Sequence, residues 1–285
     1  MSIGDIVKYC DLNYNRTERC ANCDNDCKNG CDNCLQAIHM NTIIRRYNCS
    51  NIVKFYVCKY IFRYSSEIDH LFQLCNYLIE LNSFNILSIG CGPSTELYGI
   101  LNYLQRNNMS KHINYTGCDL NQVWEPIHIE TRNVIERNKL NVNLQYIYRD
   151  IFDNLESINY DINILILQYL ISDMHVHKFD VKDFIHKLTN IINNMDCPGY
   201  ILINDVNHNI KARNYYEILI GELRRCNIDI HINKYYFDNP NRSYVYKYDV
   251  MHENNNITSI IPANILNKYN PWQYCSSAQL IIAKR

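Results

Sequence analysis

The sequence predicts an α/β fold: a doubly wound, mostly parallel sheet preceded by a Cys-rich segment and a helical segment. Three observations predict it. From Phe84 onward, short β-branched apolar runs alternate with amphipathic stretches, the pattern of a parallel sheet covered by helices on both faces. A glycine-containing turn, Gly90-Cys91-Gly92-Pro93-Ser94, joins the first such run to the first such stretch. Upstream, the chain changes from polar and Cys-rich to helically periodic.

Composition bounds the reading. A chain of 285 residues suits one large domain with a small appendage, and 47% apolar residues supply an ordinary core. The net charge of −1 provides no global field toward nucleic acid or anionic lipid. No apolar run reaches the roughly 18 residues of a membrane span, and the first residues lack the basic-then-apolar pattern of a leader. A soluble, cytoplasmic protein is therefore expected, with no membrane partner and no clear nucleic-acid patch. Its 14 cysteines are then thiols, and close Cys pairs suggest metal before disulfides.

Residues 1–35 form the Cys-rich segment, with five cysteines in "CANCDNDCKNGCDNC" (20–34). Two C-x2-C pairs, Cys20/Cys23 and Cys31/Cys34, suit a tetrahedral zinc site of four thiolates. Cys27, Cys10 and His39 stand by as alternative ligands. Bound metal would hold together loops that have no apolar core of their own. Residues 36–82 read as a helical cap. Val53, Val57, Ile61, Ile68, Leu71, Leu74, Leu78 and Leu81 recur mostly at steps of three and four. Tyr60, Arg63, Tyr64 and Glu67 share a face of that helix and are candidates to line a site.

The main domain is expected over 83–285. Its strands are predicted at 84–90, 113–119, 144–150, 162–168 and 200–205, with "SAQLIIAKR" as a last strand. Helices are predicted near 94–107, 123–138, 180–194 and 211–226. The stretch 238–277 reads as an insertion around a strand or two, which brings the expected sheet to seven strands. In open parallel sheets, ligands bind beyond the carboxyl ends of strands where the strand order reverses. Glycines there admit a ligand close to the backbone, and the next helix offers its free N–H groups.

A dinucleotide fingerprint needs a third glycine where Thr95 stands, and a P-loop needs a Lys that is absent. The stretch "NILSIGCGPSTELYGIL" instead resembles motif I of class I S-adenosylmethionine-dependent methyltransferases, with a Rossmann-like fold. The resemblance covers roughly 84–285. Two positions depart from the pattern: Ser88 stands where that family has an acid, and Ser94 where it has a third glycine. The resemblance implies that Gly90, Cys91, Gly92 and Pro93 cradle the cofactor. It places Asp119, beside Leu120, on the ribose hydroxyls. Asp150 and Ile151 would frame the adenine, and Gln168 and Tyr169 would wall the methyl group. Asp173 and His175 fall just beyond strand four and are candidate general bases; Asn204 and Asp205 end strand five at the same rim.

The function expected is direct methyl transfer to an unidentified acceptor: a protein, an RNA or a small molecule, with a macromolecule favoured by the zinc knuckle. The alternative is a non-catalytic scaffold with a degenerate methyltransferase fold. Less favoured are a nicotinamide-dependent oxidoreductase and a radical S-adenosylmethionine enzyme. The latter is suggested by the C-x3-C-x2-C spacing of Cys27, Cys31 and Cys34, but no strand precedes them and Asn33 stands where an aromatic is usual.

Overall fold

The structure is a computed structural model that describes residues 3–15, 30–40, 47, 49–153, 161–238 and 247–285. Three helices come first: α1 (Ile3–Asn13), α2 (Gly30–His39) and the 25-residue α3 (Ser50–Leu74). The alternating region follows: β1 (Ser83–Ile89), α4 (Thr95–Arg106), β2 (His112–Cys118), α5 (Glu125–Arg137), β3 (Val142–Ile147), β4 (Ile164–Gln168), α6 (Leu170–Val176), α7 (Val181–Asn194), β5 (Gly199–Val206) and α8 (Asn214–Arg225). The chain ends with β6 (Ile230–Tyr236), β7 (Val250–Met251), α9 (Ala263–Tyr269) and β8 (Ser277–Lys284).

One sheet runs in the order β3-β2-β1-β4-β5-β8-β6-β7. The first five strands are parallel, and β8 inserts antiparallel between β5 and β6. Winding starts at β1, runs outward to β3, then resumes at β4 on the other side. The reversal therefore lies between β1 and β4, where side chains from both halves meet at the carboxyl edge.

Alternation along β1 shows how the layers form. Phe84 and Ile86 pack with Ile68, Leu71, Leu97 and Ile100 of α3 and α4. Leu87 and Ile89 face the other way, into the cluster with Ile185, Leu188 and Leu219 of α7 and α8. Sheet residues of period two thus feed two separate cores. The lower half of α3 covers the sheet, while its upper half rises past the carboxyl edge. There Val53, Val57 and Ile61 join Ile6, Val7 and Cys10 of α1, Leu35 and Ile38 of α2, and Ile265 of α9 in a third core. The α3–α4 crossing needs a residue without a side chain: a Cβ at Gly99 would strike the Ser65 carbonyl and lie 2.8 Å from the Ile68 Cβ.

The predicted strands and helices fall within a few residues of those observed, but the sheet has eight strands among the described residues rather than seven. β6 escaped notice because His231 and Asn233 stand on one face while Lys234 interrupts the Ile230, Ile232 and Tyr236 face that packs on the core. α6 and α9 have seven residues each, too few for a periodic signal.

The N-terminal expectation needs a larger correction. Cys20, Cys23 and Cys27 lie outside the described residues. Cys31 and Cys34 sit on α2, a helix that buries Leu35 and Ile38, so this part of the chain does share an apolar core. The alternative ligands are also engaged elsewhere. Cys10 is wholly buried on α1, and His39 lies 3.0 Å from the Tyr47 hydroxyl. No group of three or more His, Cys, Asp or Glu side chains that could hold a metal occurs among the described residues, so the zinc knuckle has no support there. Among those residues, too, no helix is long and apolar enough to cross a membrane.

Two substitutions test this packing by denaturant midpoint. Gly99→Ala should destabilise the fold by about 1–3 kcal/mol, because overpacking must push α3 from α4. Leu35→Ala should cost about 2–5 kcal/mol if α2 is core, and next to nothing if residues 30–39 are a loosely attached arm.

Candidate functional site at the carboxyl edge

Three successive alternate residues of the β1–α4 turn adopt the left-handed conformation: Gly90 (φ 68°), Gly92 (φ 48°) and Ser94 (φ 59°). The amides of Gly90 and Cys91 donate to the Cys118 carbonyl at 2.8 and 3.0 Å, which pins the turn to the end of β2. Ser94, at the position of the missing glycine, keeps a glycine-like backbone. The strain this costs a residue with a Cβ is offset by burial and by a 3.2 Å bond from its Oγ to the Tyr146 hydroxyl. Thr95 then opens α4, its Oγ1 donating to Gln168 Oε1 at 2.7 Å.

Asp119 ends β2 directly beside this turn. Its Oδ2 accepts from the Gly92 amide at 2.9 Å and its Oδ1 from the Asn121 amide at 2.8 Å. Each oxygen retains a lone pair for a ligand, and the side chain is half-buried, as Gly92 is. Burial raises the Asp119 pKa even against these bonds.

A buried acid of α4 sits against β1 and β2. Glu96, 1% exposed, accepts from the Ser88 hydroxyl and from the Tyr115 hydroxyl, each at 2.5 Å. Burial pushes its pKa up to about 7. On the other side of the turn stands His128 of α5. Its Nε2 donates to the Gly92 carbonyl at 2.6 Å, which leaves Nδ1 to accept from the Tyr148 hydroxyl at 2.8 Å. The ring stacks on Tyr146 at 3.8 Å, and burial pushes its pKa down to about 4. It is a neutral wedge under the turn.

At the end of β4, Gln168 is fully engaged. Its Oε1 accepts from Thr95, and its Nε2 donates to the Tyr64 carbonyl at 2.8 Å. Tyr169 is left-handed (φ 55°) and stacks on Tyr64 at 4.1 Å. Its hydroxyl donates to Glu67 Oε2 and accepts from Arg63 Nη2, both at 2.7 Å. Glu67, with no exposure, also accepts from Arg63 Nε (2.9 Å), the Ser276 amide (2.9 Å) and Asn204 Nδ2 (3.0 Å). Asn204 in turn accepts from Ser277 and Gln279.

The two candidate bases part company on α6. Asp173 keeps 37% of its side chain exposed, lies 3.4 Å from His177 Nδ1, and has its pKa raised by burial. Its charge adds to the burial that raises the pKa of Asp119, Tyr47 and Tyr56. His175 instead turns toward α8, 2.9 Å from the Tyr215 hydroxyl. Asp205 is wholly buried: it accepts from the Ser172 and Val206 amides at 3.0 and 2.6 Å and secures the start of α6 rather than facing the rim. Burial holds its pKa at about 6.

Aromatic rings line the α3 side of the edge. Tyr56, Tyr60 and Tyr64 follow at i, i+4, i+8: Tyr56 meets Tyr60 edge to face with ring centroids 5.0 Å apart, and Tyr60 stacks on Tyr64 at 5.3 Å. Trp124 and Tyr47 close one end, Trp124 5.5 Å from Tyr56, and Tyr169 closes the other. Tyr60, Arg63, Tyr64 and Glu67 were legible as one helical face. Tyr56 was not, although it lies one turn earlier at the same spacing. Trp124, His128, Tyr148 and Glu96 carried no sequence motif.

The adenine-side residues are placed less favourably for contact. Asp150 is exposed and accepts from the Phe152 amide at 2.9 Å, and Ile151 is 5% exposed within the β1–α7 core. Leu120 is 63% exposed, while Cys91 and Pro93 are buried within the turn.

No family model and no curated protein sequence matches the chain. Solved structures with a similar fold include class I S-adenosylmethionine-dependent methyltransferases. A putative one from Listeria monocytogenes has 12% identity and a TM-score of 0.46, covering 77% of this chain and 59% of its own. The present chain thus spans 59% of that protein's length. The plantazolicin methyltransferase BpumL in complex with SAH has 15% identity and a TM-score of 0.42, covering 79% and 85%. A spermidine synthase from Thermotoga maritima has 9% identity and a TM-score of 0.43, covering 78% and 60%. At such identity the likeness is one of fold.

Two buried groups at the turn should give opposite pH signatures. Glu96 is raised from its unfolded value to about 7, so the stability it leaves intact at low pH is lost as pH rises through 7; Glu96→Gln should abolish that loss. His128 is lowered from 6.5 to about 4, so its share is lost as pH falls from 6.5 toward 4, and His128→Gln should flatten that limb. Denaturant midpoints from pH 4 to 8 check both.

Proposed function

We propose that the chain is an S-adenosylmethionine-dependent methyltransferase that transfers the methyl group directly to an acceptor nucleophile. The observation that carries the reading is the β1–α4 turn. Three left-handed residues lie at the strand-order reversal, beside an Asp119 carboxylate whose spare lone pairs are within reach of a ligand.

The residues present fit such a cofactor. A Cβ at Gly92 would meet the Trp124 ring at an ordinary contact distance of 3.9 Å, so the backbone there is not crowded. Gly90 is crowded by Leu170 and serves the turn itself. Backbone at Gly90–Pro93 would cradle the ligand, and Asp119 would accept from its ribose hydroxyls. When bound, S-adenosylmethionine supplies a methyl group made electrophilic by a sulfonium. The protein's own residues then orient and deprotonate. The tyrosine column and Trp124 exclude water, and Asp173 stands on the acceptor side as the base. A nicotinamide cofactor fits less well, because Thr95 occupies the third glycine position and is bonded to Gln168.

Titration calorimetry tests the proposal. S-adenosylmethionine and its demethylated product should bind, and NAD should not. Binding of NAD alone, or of none of the three, would overturn it. Gly92→Val should abolish binding, since a branched residue is strained at φ 48° and would displace the turn that holds the ligand. Asp119→Ala should weaken it by about 1.5–3 kcal/mol, the range for a charge-assisted hydrogen bond.

A further inference from the structure

We propose that β3 is the seam of a two-fold homodimer, in which the β3 strands of two copies of this chain pair antiparallel and join their sheets into one. The inference concerns the open edge of the sheet and is independent of the cofactor reading.

β3 ends the sheet and is bonded on one side to β2. The Ile113 amide donates to the Asn141 carbonyl and the Asp119 amide to the Ile147 carbonyl, so the odd-numbered residues turn their backbone groups toward β2. Those of Val142, Leu144 and Tyr146 therefore point away from the sheet. The Val142 amide folds back onto the Leu140 carbonyl at 2.9 Å. No described residue bonds the Val142 carbonyl or either backbone group of Leu144 and Tyr146. Edge strands are normally guarded by charge, proline, a bulge or brevity. From Leu140 to Tyr148 there is no charged residue and no proline, and the pairing with β2 is unbroken from Val142 to Ile147. The opposite edge is guarded, because β7 is only two residues long.

A two-fold axis beside Leu144 matches the strand to itself on both faces. Each Leu144 exchanges both backbone bonds with Leu144 of the second copy, and each Tyr146 amide donates to the second copy's Val142 carbonyl. Asn143 then lies opposite the second copy's Gln145, at the closer, non-hydrogen-bonded spacing. That face already carries a carboxamide ladder, with Asn85, Asn114 and Asn143 in register. Asn114 Nδ2 donates to Asn85 Oδ1 at 2.8 Å, and Asn143 Nδ2 to Asn114 Oδ1 at 2.9 Å. The last acceptor, Asn143 Oδ1, is used by no described residue, and the Gln145 side-chain amide of the second copy can fill it. On the other face Val142 lies opposite Tyr146 and Leu144 opposite Leu144, which extends the apolar layer all three already join.

The same geometry limits the assembly to two copies. An isologous contact uses the same patch on both molecules and closes on itself. Head-to-tail growth would need β7 to receive β3, and Val250–Met251 offers too short a strand. The seam also bears on the glycine turn. Tyr146 accepts from Ser94 at 3.2 Å and stacks on His128, so pairing steadies the strand that supports that turn.

Sedimentation equilibrium of the full chain over a range of concentrations tests the proposal, and should give a monomer–dimer equilibrium with no larger species. Asn143→Lys combined with Gln145→Lys sets like charges opposite each other across the seam. It should weaken association at least about tenfold, with the far-UV circular dichroism unchanged. Asn143→Lys combined with Gln145→Asp sets opposite charges there and should keep the dimer, which checks the register. Amide exchange of the unaltered chain reads the same seam without a substitution: the Leu144 and Tyr146 amides should slow as the dimer fills. A chain that stays monomeric at every concentration would overturn the proposal and leave the edge to a strand of another protein. So would a dimer that the two lysines do not weaken, open-ended assembly, or fast exchange at Leu144 and Tyr146 in the dimer.

Discussion

Glu67 has no access to solvent, sits two turns from the end of α3, the longest helix among the described residues, and has its bonds made within the protein. One oxygen is held by Arg63 and the Ser276 amide, the other by Tyr169 and Asn204. These partners come from α3 itself, from the end of β4, from β5 and from the turn into β8. A carboxylate taken from water is tolerated only when so fully partnered, and losing one partner of such a group costs about 3–5 kcal/mol. The brace therefore fixes where α3 crosses the sheet. Everything on the upper half of α3, including the tyrosine column, inherits its position from this charge.

The glycine turn depends on the same arrangement. Gln168 ties α4 to the Tyr64 carbonyl, and Gly99 lets the two helices approach until backbone meets backbone. Departures from the expected motif are absorbed locally. Ser88 donates to Glu96, which ties β1 to the first turn of α4. Ser94 keeps the backbone of the glycine it replaces.

Much of the sheet was legible because parallel strands buried on both faces read as short apolar runs, and "ILILQ" or "YILIND" has no other plausible reading. The turn was legible from its glycines. The site beyond it was only partly so. Asp119 lies against the glycine turn, whereas His175 and Asp205 leave the rim because α6 turns one toward α8 and is secured by the other. Neither outcome follows from spacing along the chain. The N-terminal helical core was illegible for a different reason. Cysteine spacing drew attention from Ile3, Ile6, Val7, Leu35 and Ile38, whose burial depends on a partner helix that local sequence does not reveal.

The central claim is that a cofactor binds at the β1–α4 turn beneath the upper half of α3. Amide hydrogen exchange of the full chain, with and without S-adenosylmethionine, tests it most directly. The account predicts added protection at 90–96, at 119–121 and along 56–64, with 230–236 and 277–284 unchanged. Binding that leaves those three segments unprotected, or that protects the far edge of the sheet instead, would contradict it.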